Sequence, residues 1–184
     1  MSSISNSLPL DILDFWWQAG PESWFKGGSD FDSQIQQKFS KAVEAACEGE
    51  LDHWTQSPHS TLALLLLLDQ FTRNIYRGSA RAFSGDEKAL VIAEKSLQKG
   101  DFRAFNQEQR AFFFLPFEHS EKMEHQDLAV DLFRKYCNEQ NYLYALVHMD
   151  VIRRFNRFPH RNEALERVST PEEVTFLEEG GFRA

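Results

Sequence analysis

Three groups of polar residues in this chain have the types and spacing to do chemistry. The first closes an almost pure leucine run: in "LALLLLLDQFTRNIYRG", Asp69, Gln70, Arg73, Asn74 and Arg77 follow directly on Leu68. On a helical wheel at about 100° per residue with Asp69 at zero, Arg73 falls near 40°, Arg77 near 80° and Gln70 near 100°. Leu62 and Leu66 occupy that sector further upstream, so the polar stripe continues one that is buried earlier, and the acids and bases in it need partners. Asp69 to Arg73 is an (i, i+4) pair in the favourable orientation. It reads either as a structural ion pair that anchors loops or as the edge of a binding site.

The second group starts inside "YLYALVHMDVIRRF". With His148 at zero, Tyr144, Ala145, Val151, Ile152 and Phe155 all fall within about 60° of it. His148 is therefore expected in the middle of an apolar face, where a neutral imidazole must hydrogen-bond something. It is a satisfied core histidine on the plain reading and a general base on the sharper one. Just beyond, "RFNRFPHRNEAL" crowds Arg157, His160, Arg161 and Asn162 around Pro159. Such planar, multi-donor side chains suit a carboxylate or a phosphate, and equally suit capping of helix ends.

The third group is "FFFLPFEHSEKMEHQD", where Glu118, His119, Glu121, Glu124 and His125 follow Pro116. A Glu121–His125 (i, i+4) pair could chelate a metal. There is no H-E-x-x-H and no cysteine set, and Glu50 with His53 is the only Glu-x-x-His. We therefore expect no metal and no cofactor, with Glu121 and Glu124 serving as helix-start acids. The chain also lacks a glycine-rich phosphate loop and a nucleophile elbow.

The elements that must position these groups read as helices throughout. Apolar residues recur at helical spacing in "SDFDSQIQQKFSKAVEAACEGE", with Asp32 or Ser33 as N-cap and Gly49 as the stop. In "SGDEKALVIAEKSLQKG", Ser84 with Glu87 forms a capping box and Gly100 ends the helix. Thr170, Pro171 and Glu173 form another start signal, and further helices begin near Ser57, Asn106 and Ser120. No run alternates with a period of two between hairpin turns. The expected fold is all-α: about nine helices in antiparallel hairpins, forming one domain over residues 1–184.

Composition sets outer limits on function. The chain has 184 residues, and a formal charge of -8 argues against a general nucleic-acid binder. The leucine run is far short of the roughly 18 apolar residues a membrane span requires. Two cysteines, Cys47 and Cys137, lie far apart, and the start "MSSISNSLPL" has no leader pattern, which fits a reduced cytoplasmic protein. Seventeen phenylalanines and the tryptophans Trp16, Trp17 and Trp24 read as core packing.

Together, "LALLLLLDQFTRNIYRGSARAF", "FFFLPFEHSE", "HMDVIRRFNRFPHRN" and "STPEEVTFL", with the N-terminal "FWW" and "WFKGGSDFDSQI", resemble the bacterial family called domain of unknown function 924. The resemblance covers nearly the whole chain. It implies a tetratricopeptide-like, right-handed array of helical hairpins and no established activity. Its recurrent polar positions fall on Asp69, Gln70, Arg73, Asn74, Arg77, His119, Glu121, His148, Arg157, His160, Arg161 and Asn162. Against that pattern, Asn156 and Glu166 stand where glycine is usual, and Glu118 stands where an apolar residue is usual.

The leading expectation is a binding module in which Arg73, Arg77, Arg157 and Arg161 hold a small anionic molecule or a peptide carboxylate, assisted by Gln70, Asn74, His160 and Asn162. His148 and Asp69 would orient the arginines. The alternative is a small-molecule enzyme with His148 as general base, Asp69 or Glu121 fixing its tautomer, and His119 as acid. A third reading is a purely structural polar network. The sequence sets no oligomeric state.

Overall fold

A computed structural model describes residues 8–26 and 28–183. Residues 1–7, on which the absence of a leader was read, lie outside the described residues. The described chain is all-α: α1 Leu8–Lys26, α2 Ser29–Glu48, α3 Pro58–Leu65, α4 Thr72–Ile75, α5 Asp86–Lys99, α6 Gln107–Glu118, α7 Met123–Tyr136, α8 Glu139–Phe155 and α9 Pro171–Glu178. It divides into two compact units, Met1–Arg77 with Arg81–Ala104, and Gly78–Ala80 with Phe105–Ala184.

In the first unit the leucine run is the core. Every residue from Leu62 to Leu68 is at most 1% exposed, so the helix is buried all round, as an apolar circumference requires. Ser57 caps α3 through the Ser60 amide, and Pro58 takes the first turn, where its missing N–H costs nothing. Packed around it are Phe15, Trp16, Phe39 and Phe71, with ring centroids 5.2 Å (Phe15–Phe39), 5.3 Å (Phe39–Phe71) and 5.4 Å (Trp16–Phe71) apart. Trp24 stacks on Trp16 and donates its indole N–H to the Trp16 carbonyl at 2.6 Å.

Between α3 and α4 the rod does not stay α-helical. Leu66–Phe71 forms a π turn, which takes one extra residue per hydrogen-bonded ring and turns every later side chain relative to a 100° wheel. The carbonyl of Leu68 inside this turn accepts the Thr72 hydroxyl at 2.8 Å. Gly85 packs against the same carbonyl so closely that a Cβ there would stand 2.2 Å from the oxygen. α5 starts at Asp86, with Gly85 as its N-cap. Ser84 consequently does not form the expected capping box, and its hydroxyl goes to the Arg81 carbonyl at 2.8 Å.

The start of α2 also differs from expectation. It begins at Ser29 after Gly28, without a side-chain cap, and the Asp32 carboxylate is bound elsewhere. The stops read from sequence hold: Gly49 and Gly100 are both left-handed caps.

In the second unit α7 packs on both α6 and α8, joined by connections of four and two residues that favour antiparallel neighbours. Asn106 with Gln109 and Thr170 with Glu173 form complete capping boxes at the starts of α6 and α9. α7 starts at Met123, three residues later than Ser120, so Glu121 precedes the helix. Asn156 takes the left-handed conformation that closes α8, and Glu166 holds a positive φ of 54° as well. Both departures from glycine thus fall where glycine is the natural residue.

Candidate functional site

In the first unit the polar end of the leucine helix is answered locally. Asp69 is 2% exposed and accepts the Gln70 amide at 2.6 Å. Arg73 does not form the expected (i, i+4) pair; its guanidinium lies 2.8 Å from Asp86 at the start of α5 and also donates to the Ala82 carbonyl. Asp69 is bonded by Gln70, and Arg73 finds its acid in Asp86 of the next helix. Asn74 and Arg77 both donate to Asp32 of α2, at 2.7 Å for Asn74 Nδ2 and 3.0 Å for Arg77 Nε. Asp32 therefore joins α2 to α4 where the sequence had it as a cap.

In the second unit the connection after α6 is tightly tied down. Pro116 lies inside α6, which runs on to Glu118, and the amide of His119 closes the last turn on Leu115 at 2.8 Å. The buried Gln126 side chain donates to the carbonyls of Glu118 and Ser120, both at 2.6 Å. His125 pairs with the Ser120 hydroxyl at 2.8 Å, not with Glu121.

Glu121 reaches across to another partner. Arg167 donates to both its oxygens at 2.7 and 3.0 Å, and the Phe158 amide donates to Oε1 at 2.8 Å. Burial alone would raise the Glu121 pKa, but the Arg167 and Phe158 donors outweigh it and the net shift is downward.

Arg157 and Asn162 converge on Glu173 of α9. The guanidinium bonds it through Nε at 2.5 Å and Nη2 at 2.7 Å, Asn162 Nδ2 adds a bond at 3.1 Å, and the Thr170 amide adds one at 2.8 Å. Led by the Arg157 bonds, these donors hold the Glu173 carboxyl down to about 2, and the glutamate is 2% exposed.

The remaining residues form a cluster of imidazoles around Phe158 and Phe182. The His148 ring lies 4.5 Å from that of Phe182, 5.6 Å from that of Phe158 and 6.1 Å from that of His119. His160 lies 5.6 Å from both phenylalanine rings. Arg161, 6% exposed, stacks its guanidinium 4.4 Å over Phe158 and donates to the His119 carbonyl at 3.1 Å.

His148 is 5% exposed, as the apolar face of α8 requires. Its Nδ1 lies 2.8 Å from the Tyr144 carbonyl. A carbonyl can only accept, so Nδ1 carries the proton and Nε2 the lone pair. The tautomer is thus set by Tyr144, a half-exposed residue whose backbone does what Asp69 or Glu121 was expected to do. Burial first, then the neighbouring His119, pulls the His148 pKa down to about 3. Burial and Arg161 pull that of His160 to about 4, and its Nδ1 is buried without a hydrogen-bond partner.

Glu118 completes the cluster. It is 3% exposed, with Oε1 3.7 Å from His148 Nδ1. The departure from an apolar residue at this position therefore puts a carboxylate among the imidazoles. Phe182 also walls an apolar cavity of about 380 Å³ with Val147, Val151 and Phe176.

A family model for a "Bacterial protein of unknown function (DUF924)" matches residues 12–181. The chain belongs to the DUF924 family. Among solved structures, this DUF924 chain is 42% identical to the "Protein of Unknown Function ATU0120 from Agrobacterium tumefaciens", over 95% of its own length and 98% of that chain, with a TM-score of 0.91. No curated protein matches it. Among the described residues no helix is long and apolar enough to cross a membrane.

Sequence reasoning missed Arg167, Asp86 and Phe182, and saw Glu173 only as a helix cap. A single chain shows which residues repeat with a helical period, but not which distant acid meets which base. The one available signal was the odd charge of Glu118 beside His119 at the end of an apolar helix.

Proposed function

We propose that this DUF924 protein is a binding module whose second unit takes a small organic anion at His119, His160 and Arg161, with the apolar body of the ligand in the cavity walled by Phe182. The observation that carries this is His160: a buried imidazole nitrogen without a hydrogen-bond partner, next to a guanidinium, on a ring 5.6 Å from Phe182, which walls the apolar cavity. Small-molecule sites combine such an apolar volume with a few convergent polar groups. Arg73, Arg77 and Arg157, each bonded to a carboxylate, serve the fold in this reading. The wider setting is a tetratricopeptide-like array of helical hairpins, and the two free cysteines, Cys47 and Cys137, fit a cytoplasmic protein.

The test is a thermal-shift screen of the purified protein against phosphate, nucleotides, di- and tricarboxylic acids and short peptides, with His160→Ala run alongside. A ligand at 100 times its dissociation constant adds about 2.7 kcal/mol, a rise of roughly 5 to 10 °C at this size. The expected result is a shift with one anion class that disappears in His160→Ala. A flat screen would sink the reading.

A second reading, general-base catalysis, has its own observation. His148 is neutral, oriented by the bond of Nδ1 to the Tyr144 carbonyl, and holds a lone pair on Nε2. Full turnover by His148→Gln on any substrate found would exclude it.

A further inference from the structure

The sequence argued against a metal, on the ground that its one chelating pair, Glu121 with His125, comes without an H-E-x-x-H or a cysteine set. The fold brings together a set that the sequence order hides. Glu118 and His119 end α6, His148 lies in the middle of α8, and one ligand atom from each lies within 4.8 Å of the others. Glu118 and His148 are both buried. Ligand atoms around a four-coordinate ion at about 2.1 Å stand roughly 3.4 Å apart. Side-chain torsions alone can close a spread of this size, because the atoms concerned are at the ends of Glu and His side chains.

We propose that Glu118, His119 and His148 form a three-ligand site for a first-row divalent cation of the zinc class, with a fourth position left for water or an anion. Two imidazoles and one carboxylate are a ligand set that such ions accept, whereas magnesium and calcium prefer all-oxygen sets.

Three features of the surroundings support this assignment. The Nδ1–H of His148 is anchored on the Tyr144 carbonyl, and a ligating imidazole characteristically donates its other nitrogen to a carbonyl or carboxylate in this way. The backbone that carries Glu118 and His119 is held by Gln126 on one carbonyl and Arg161 on the next, so the two ligands are presented from a fixed connection. The site also lies at the C-terminal end of α6, whose helix dipole favours a cation. The Arg161 guanidinium opposes the ion, and the Glu118 carboxylate offsets it.

This inference shares the pocket of the anion reading but needs no anion, so the two can fail separately. The experiment is calorimetric titration of chelator-stripped full-length protein with Zn²⁺, repeated with Co²⁺ to follow the visible absorption of the bound ion. Glu118→Gln, His119→Gln and a His53→Gln/His59→Gln control are titrated in parallel.

The expected result is one ion per chain, bound about 100-fold more weakly in either Glu118→Gln or His119→Gln, unchanged in the control, and with a Co²⁺ spectrum that changes in His119→Gln. Circular dichroism of the stripped variants checks that each is folded. Glu118→Gln keeps the size of the side chain, so it decides the matter if His119→Gln does not fold. Absence of a stoichiometric ion, wild-type affinity in both site variants, or loss in the surface-histidine control would overturn the proposal. If the anion screen run in chelator still shows its His160-dependent shift, the metal alone has failed.

Discussion

Arg157 meets Glu173 with both arms of its guanidinium fork, at 2.5 and 2.7 Å, and in doing so ties the turn after α8 to the first turn of α9. The glutamate is at once a capping-box residue, an ion-pair partner and the acceptor for Asn162. A side chain that reads along the sequence as a free anion receptor is thus a structural clamp.

The clamp makes stability acid-sensitive. Glu173 has a folded pKa of about 2, below its ordinary value of 4.5, so the folded chain holds that proton less readily than the unfolded chain. Its stabilisation is complete above about 4.5 and is lost as pH falls towards 2. Glu173→Gln should lower the melting temperature by several degrees at pH 7 and by much less near pH 2. Melting curves across that range check it, and a constant difference at every pH would contradict it.

Glu166 holds a left-handed conformation with φ 54°. A side chain there costs about 1 to 2 kcal/mol, of which glycine gives back part through its freer unfolded chain. Glu166→Gly should stabilise by about 0.5 to 1 kcal/mol, raising the melting temperature by roughly 2 °C. Glu166→Ala should bring no such gain. Equal effects of the two would show that the side chain, and not the backbone, is responsible.

Gly85 touches the Leu68 carbonyl in the π turn, and its own φ of -93° is ordinary, so only the space is at issue. Gly85→Ala must push α5 away from the buried leucine helix. The expected cost is about 2 kcal/mol, a fall of roughly 4 to 8 °C. An unchanged melting temperature would mean that the π turn yields freely.

Much of the fold was legible because it is local. Ser57, Asn106 and Thr170 start helices, Gly49 and Gly100 stop them, and the buried leucine helix follows from its apolar circumference. The buried face of His148 was legible for the same reason. The wheel failed for Arg73 because its partner, Asp86, lies on the next helix, outside anything a single-helix wheel shows. Asp32 and Ser84 failed as caps because the helices start elsewhere, α2 at Ser29 behind Gly28 and α5 at Asp86 behind Gly85. Glu121, like Arg73, has a distant partner, Arg167, which lies 46 residues away. Glu118, His119, His148 and His160 come from two separate stretches, and only the packing of α6 and α8 in one unit gathers them.

The most direct test of the central claim compares His160→Ala with Arg77→Ala in calorimetric titrations with the anion that gives the largest thermal shift. Removing His160 breaks no hydrogen bond of its Nδ1, whereas removing Arg77 breaks its bridge to Asp32. If the histidine cluster is the binding site, His160→Ala stays folded and loses at least about tenfold in affinity, a difference of about 1.4 kcal/mol. Arg77→Ala should then be less stable yet bind as the wild type does. Wild-type affinity in His160→Ala, with binding lost in Arg77→Ala, would contradict the claim and return the site to the end of the leucine helix.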